Sequence, residues 1–356
     1  MTKLEKIRTS LSEKGIDALF VYDENNQRYL TDFSFSDGLL FISRERAELI
    51  TDFRYYEMAE KRADKAFSVV MPENRTDFIL NLLSESSAKT IGFDGKSVSY
   101  ESYLSLCERF SGFEFVSVGN MIEELREIKS EEEISIMQRA QDITDNAFAH
   151  ILKVIKPEMT EIEVAAELEY FMRKNGAEGF SFGTIAVSGD ASALPHGTPR
   201  NEKLKRGFLT MDFGAKVDGY CSDMTRTVVI GKADAEMKKL YDTVLKAQLS
   251  ALDFLGVGKD CAEADKIARD IIDSVPEFKG AFGHGLGHSI GLLTHENPRL
   301  SRLSCGHKMR CGEIYTVEPG IYLLGKYGCR IEDMVAIRTD GIYNFTHSTK
   351  EMIEII

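Results

Sequence analysis

Short apolar runs and helical spacing take turns along the first third of the chain. Asp17–Tyr22 (DALFVY), Gly38–Ser43 (GLLFIS), Ala47–Thr51 (AELIT), Phe67–Met71 and Thr90–Asp94 have strand length and strand composition. Between them, Phe53–Ala63 and Asp77–Ser84 carry apolar residues at helical intervals, and Gly, Asp and Asn punctuate the strand ends. Strands alternating with helices predict a layered α/β domain. No GxGxxG or GxxxxGK turn of the kind that cradles phosphates follows any of these strands, and the region holds no cluster of catalytic residue types.

From Met121 the pattern changes to a charged segment, MIEELREIK, followed by Ser130 and Glu133 at capping-box spacing. A long helix is expected to start there. Ile134, Met137, Ala140, Thr144, Ala147 and Ile151 recur at three- and four-residue intervals and form one apolar stripe that ends before Pro157. Thr160 and Glu163 repeat the box, and Gly176 is placed to stop a second helix. The carboxylates of this stretch are expected to be cap and solvated-face residues. The boundary should fall near Ile122–Glu127, dividing an α/β domain over 1–124 from a second domain over 125–356.

Candidate chemistry gathers between His196 and Glu332. Phe208–Gly214 and Tyr220–Ile230 are strand-like runs flanking Asp218-Gly219, a strong two-residue hairpin signal. If Val217 and Tyr220 close the turn, Thr225 lies opposite Asp212 and Gly214 opposite Asp223. Period two then puts Asp212 and Asp223 on one face, about 7–8 Å apart at the backbone. Two Asp in apolar strands oppose strand propensity and repel each other, so a compensating cation is expected.

Phe282–Glu296 (FGHGLGHSIGLLTHE) holds His284, His288 and His295 among four glycines, which argues against a regular helix and for backbone passing close to a cavity. Glu318 and Glu332 sit among β-branched and aromatic residues, where an unpaired carboxylate costs desolvation energy. Pro319 marks a strand end beside Glu318. Arg330 lies two residues before Glu332, so a plain Arg330–Glu332 ion pair is the competing explanation. Asp212, Asp223, Glu318 and Glu332 supply four negative charges to one imidazole, the formal complement of two divalent cations. Oxygen-rich ligation of that kind suits Mn²⁺, Co²⁺ or a carboxylate-held Zn²⁺ pair, and two such ions can share a hydroxide that attacks a carbonyl carbon.

These residues in this order, within MDFG, SDMTRT, GHGLGH, VEPGIY and RIED, resemble the pita-bread metallopeptidases, most of all Xaa-Pro dipeptidase (prolidase) and aminopeptidase P. Asn26–Asp37 and Leu49–Tyr56 resemble the creatinase-type N-terminal domain of the same group, so the resemblance covers nearly the whole chain. It implies that Asp212, Asp223, His288, Glu318 and Glu332 hold two divalent ions, Mn²⁺ ahead of Co²⁺ or Zn²⁺, with Asp223 and Glu332 bridging. It implies that Glu318 also acts as general base, that His196 and His295 contact substrate and stabilise the tetrahedral intermediate, and that His284 lines the pocket. Arg330 would pair with the metal-bound acids. The implied activity is hydrolysis of the bond before proline by a metal-bridging hydroxide, in a homodimer that takes small peptides with proline second. Arg299 is the lead for a dipeptidase, since it could bind a dipeptide's free carboxylate; a surface Arg after a Pro turn is the alternative. Ser289 stands where the group commonly has Gly, and Leu293-Thr294 replaces a frequent Glu-Val. Aminopeptidase P is the runner-up, and an inactive binding module of the same fold is the alternative from another class.

Composition narrows the classes further. The chain has 356 residues, with 44 Lys plus Arg against 57 Asp plus Glu and a net charge of −13. That balance suits no protein whose work is to neutralise phosphate backbones, so nucleic acid is not expected as a partner. Apolar runs are strand-sized and fall short of the roughly 18 residues of a membrane span, and MTKLEKIRTSL lacks a signal-peptide core, so no membrane role is expected. Six scattered Cys without a CxxC pair suggest reduced thiols and a cytoplasmic setting.

Overall fold

In the N-terminal region the apolar runs become β1 (Ala18–Val21), β2 (Leu39–Ser43), β3 (Ala47–Ile50), β4 (Ser68–Val70) and β5 (Thr90–Phe93). A sixth strand, β6 (Glu114–Ser117), has exposed polar ends that blur its apolar pattern. The strands form one sheet in the order β4-β3-β2-β1-β5-β6. It is mixed: β1 runs antiparallel to β2 and parallel to β5. All four residues of β1 are buried, which is why its sequence reads as a continuous apolar run instead of an alternation. The accompanying helices are α1 (Lys3–Lys14), α2 (Glu24–Thr31), α3 (Tyr56–Arg62), α4 (Arg75–Glu85), α5 (Tyr100–Arg109) and α6 (Met121–Arg126). Phe20, Phe41, Leu83 and Phe93 lie in the shared core.

The computed structural model describes residues 1–356, and the chain divides where α6 ends, into Met1–Arg126 and Glu127–Ile356. No helix is long and apolar enough to cross a membrane.

The second unit begins with α7 (Glu131–Val154) and α8 (Glu161–Lys174), each entered through the capping box its sequence announces. The stripe from Ile134 to Ile151 is buried, and α8 stops at Asn175 with Gly176 at a φ of 105°. Not all the acids of this stretch are solvated as expected. Glu161 has no exposed surface; its two oxygens accept from the Ser188 N–H and hydroxyl and from the Arg200 guanidinium. Glu133, besides its box contact, accepts from the Tyr220 hydroxyl at 2.6 Å. Their partners lie 27 to 87 residues away, beyond the reach of local pattern.

Next come β7 (Gly179–Phe180), β8 (Ile185–Ser188), β9 (Gly207–Phe213), β10 (Ala215–Val217), β11 (Tyr220–Cys221) and β12 (Met224–Ile230), then α9 (Ala235–Phe254) and α10 (Cys261–Asp273). The last strands are β13 (Gly287–Ser289), β14 (Glu296–Leu300), β15 (Ile314–Val317), β16 (Gly320–Leu323), β17 (Tyr327–Arg330), β18 (Asp333–Arg338), β19 (Gly341–Asn344) and β20 (Glu354–Ile355). Two larger sheets result, β20-β12-β9-β8 and β14-β13-β15-β18-β19. Phe148, Val164 and Leu168 of the first helix pair pack with Leu209, Met211 and Phe213 of β9. Leu240, Val244 and Ala268 of the second pair pack with Tyr315, Val335 and Ile337. Each helix pair thus covers its own sheet, an α+β arrangement that leaves the ligand-bearing strand ends to converge.

Candidate metal centre

The Asp218-Gly219 turn sets the first two acids. Both residues take positive φ, 46° and 83°, as a type I′ turn requires. Val217 pairs with Tyr220 and Thr225 with Asp212, the register expected from the turn. Gly214 is required beside Asp223 because a Cβ there would stand 1.9 Å from the Ser222 carbonyl oxygen. Glu318 follows β15 directly and precedes Pro319, so it sits at the strand end. Glu332 lies between β17 and β18, which belong to different sheets. The strand break removes the two-residue periodicity on which an Arg330–Glu332 pair depends: Arg330 instead donates to Asp212 Oδ2 at 2.6 Å. It reaches Glu332 only through Thr225, whose hydroxyl accepts from Arg330 Nε and donates to Glu332 Oε2 at 2.7 Å.

His288 on β13 donates from Nδ1 to the Ser289 carbonyl, which leaves Nε2 facing Asp223 Oδ2 at 3.8 Å and Glu318 Oε1 at 3.4 Å. One ligand atom each from Asp223, His288 and Glu332 lies within 4.8 Å of the others. Gly287, directly before His288, serves the protein's own packing: it leaves room for the Thr316 carbonyl, 1.9 Å from where a Cβ would be.

The electrostatics are those of an undercompensated acid cluster. Burial, followed by the charge of Glu332, pushes the Asp223 carboxyl well above its ordinary value. Burial and the charge of Glu318 do the same to Glu332. Burial lifts Glu318 to about 7 against the pull of Arg330. Burial and neighbouring His295 lower His288 to about 3, so it presents a neutral imidazole. Four carboxylates set against the Arg330 guanidinium leave a formal charge of −3. Asp212 Oδ1 is buried with no hydrogen-bond partner although Oδ2 is bound. An orphaned carboxylate oxygen beside a crowded acid cluster with a neutral imidazole fits hard or borderline divalent cations.

A cavity of about 610 Å³ opens over these groups, lined also by Phe182, Ile185, His196, His284, His295 and Arg299. His196 and His295 are exposed in it. The His295 ring stands edge-on to His288 with centroids 4.4 Å apart. His284 donates from Nδ1 to the Gly285 carbonyl, and its Nε2 accepts from the Tyr322 hydroxyl at 2.9 Å. Tyr322 in turn accepts from Arg330 at 2.8 Å. Arg299 is exposed and its guanidinium makes no ion pair within the chain.

All ten sequence-predicted positions therefore reach one cavity. Thr225 and Tyr322, which link Arg330 to the acids and to His284, were not among them. Thr225 shares the strand face of Asp223 by period two, and Tyr322 stands four residues after Glu318, so both lie inside the motifs that carry the chemistry.

Residues 135–339 match metallopeptidase family M24, and residues 3–128 match the creatinase/prolidase N-terminal domain. An uncharacterized peptidase of Bacillus subtilis is 41% identical over 99% of both chains. A solved Xaa-Pro dipeptidase from Bacillus anthracis superimposes with a TM-score of 0.94 at 40% identity, covering 99% of each chain. A solved X-Pro aminopeptidase from Thermotoga maritima gives 0.90 at 35% identity, with 100% of each covered. With matches that run the full length and a group of acids and a histidine that could hold a metal where its two sheets meet, the chain belongs to metallopeptidase family M24, a pita-bread catalytic domain following a creatinase/prolidase N-terminal domain.

Proposed function

We propose that this M24 peptidase is a dinuclear Xaa-Pro dipeptidase. The observation that carries the reading is the cavity in which Asp212, Asp223, His288, Glu318 and Glu332 converge beside the unpaired guanidinium of Arg299. Those five residues would hold two divalent ions, Mn²⁺ before Co²⁺ or Zn²⁺. When bound, the ions lower the pKa of a water molecule and polarise the scissile carbonyl.

The chain's own groups supply the rest. Glu318 takes a proton from the attacking water at its carboxylate and delivers it to the proline nitrogen as the bond breaks. His295 and His196, exposed in the cavity, hydrogen-bond the substrate backbone and the developing oxyanion. His284, neutral because burial and the charge of Arg330 lower it to about 4, shapes the wall against Tyr322. Arg330 fixes Asp212 and, through Thr225, Glu332. Arg299 takes the free carboxylate of a dipeptide in a charge-assisted contact. A bond to proline is a tertiary amide with a rigid ring, so a compact pocket is needed where extended-backbone recognition fails. A cytoplasmic homodimer is part of the proposal, with residues 1–124 forming the accessory domain and 125–356 the catalytic one.

The Thermotoga likeness keeps aminopeptidase P as the second reading. Mn²⁺-loaded protein is expected to split Xaa-Pro dipeptides, and Arg299→Ala to raise KM for them about 10-fold or more. Cleavage of Xaa-Pro-Yaa tripeptides with no turnover of dipeptides would select the second reading. Metal analysis is expected to find two ions per chain.

A further inference from the structure

Lys129 precedes the cap residue of α7, and its ammonium group is almost sealed from solvent, with a side-chain exposure of 1%. It donates to Ser289 Oγ at 3.1 Å and to Glu296 Oε2 at 3.2 Å. These two residues face each other across β13 and β14 where the register slips. His288 pairs with Arg299 and the next residue, Ser289, pairs with Glu296, so Asn297 and Pro298 are extra residues on β14. A bulge of this kind bends its strand and re-aims the side chains beside it. Here one buried cation bridges both strands at the slip.

The surroundings are built to keep Glu296 in place. Its Oε1 accepts the Leu293 N–H at 3.1 Å. A Cβ on Gly291 would stand 2.8 Å from Glu296 Oε2, so the glycine leaves the carboxylate where it is. The Lys129 backbone is itself tied, donating to the Gly312 carbonyl at 2.9 Å. Glu296 directly follows His295, and on the other side Thr294 donates to the Ser181 carbonyl at 2.7 Å. His295 is thus held by the residues that flank it, while its ring stays exposed in the cavity.

We propose that Lys129 is a positioning residue for His295: by pinning Ser289 to Glu296 across the bulge it aims the His295 ring into the cavity beside His288. The proposal rests on the reading of His295 as a substrate contact. A buried ion pair contributes little net stability but is costly to break on one side, so it specifies geometry more than it adds energy.

The test is a double-mutant cycle with Mn²⁺-loaded protein and a Xaa-Pro dipeptide, comparing Lys129→Met, His295→Asn and the pair, with bound ions per chain measured in each. Lys129→Met is expected to lower kcat about 10- to 100-fold with the ion content unchanged. In the His295→Asn background the same substitution should cost less than about threefold, because the residue it positions is already gone. Losses that multiply, or ions lost from Lys129→Met, would overturn the positioning role while leaving the reading of His295 intact. Unchanged kcat/KM in His295→Asn would overturn that reading and the positioning role with it. Lys129→Met leaves Glu296 without its cation; if it does not fold, Lys129→Met/Glu296→Gln, which removes both charges, takes its place in the cycle with the same expected outcomes.

Discussion

Glu332 and Asp333 are neighbours in the chain and both are buried, with 1% and 0% exposure, yet their carboxylates occupy opposite surroundings. Glu332 faces Asp212 and Glu318, and burial with those charges drives its carboxyl well above the ordinary range. Asp333 accepts from Arg226 at 2.8 Å, from Lys350 at 2.6 Å and from Asn344 at 2.9 Å. Burial works against its charge, but Arg226 and Lys350 outweigh it and hold Asp333 below its usual value. On one side of the chain the charges close within the protein, which is what a structural acid needs. On the other they are left open, and that deficit is what distinguishes a metal centre from a buried salt bridge.

Breaking each side should give different failures. Asp223→Asn should cut kcat/KM on a Xaa-Pro dipeptide by about 10³-fold or more while the circular dichroism spectrum is kept; near-normal turnover would remove Asp223 from the centre. Arg226→Met acts on the closed side, where the guanidinium also donates to the Thr225 and Ser348 carbonyls. It should cost about 3–4 kcal/mol in urea unfolding, because it strands buried acceptors.

Adding divalent ion sharpens the contrast. At about 100 times its Kd a single bound ion stabilises by ~2.7 kcal/mol, so the melting temperature of wild type should rise with Mn²⁺. Glu332→Gln should lose most of that rise, whereas Asp333→Asn should keep it at lower overall stability. Equal responses from the two variants would erase the distinction between the two sides.

A third buried acid, Asp94 in the N-terminal unit, gives the smallest effect. It accepts from the Tyr22 and Asp23 N–H groups, the latter at 2.6 Å, but burial still lifts it to about 6. With the folded value above the ordinary 3.8, the folded state holds the proton more tightly, and stability falls as pH rises through about 4 to 6. Between pH 4.5 and 7 wild type should lose about 2 kcal/mol relative to Asp94→Asn. Parallel urea midpoints for the two proteins across that range would contradict the shift.

The hairpin that carries Asp212 and Asp223 was legible because a two-residue Asp-Gly turn dictates its own register, and every cross-strand pair follows from it. The capping boxes of α7 and α8 were legible for the same reason, since donor and acceptor lie three residues apart. Glu161 has the sequence setting of a solvated acid, because its partners Ser188 and Arg200 come later in the chain and carry no local mark. The glycines around His288 showed close approach in the sequence, but not that the approaching atoms are the Thr316 carbonyl and the Glu296 carboxylate.

The sequence by itself determined the residue types of the cluster, the order of its four acids and one histidine, and the faces on which the hairpin acids lie, because turn geometry and side-chain alternation are local. Only the tertiary structure decided which charges meet. It sent Arg330 to Asp212 instead of Glu332, balanced Asp333 with Arg226 and Lys350, and placed Lys129 across β13, which carries His288, and β14, which His295 directly precedes. The Arg330–Asp212, Arg226–Asp333 and Lys129–Ser289 contacts join residues more than 100 apart, and a Coulomb interaction has no signature in sequence spacing until the sheets have closed.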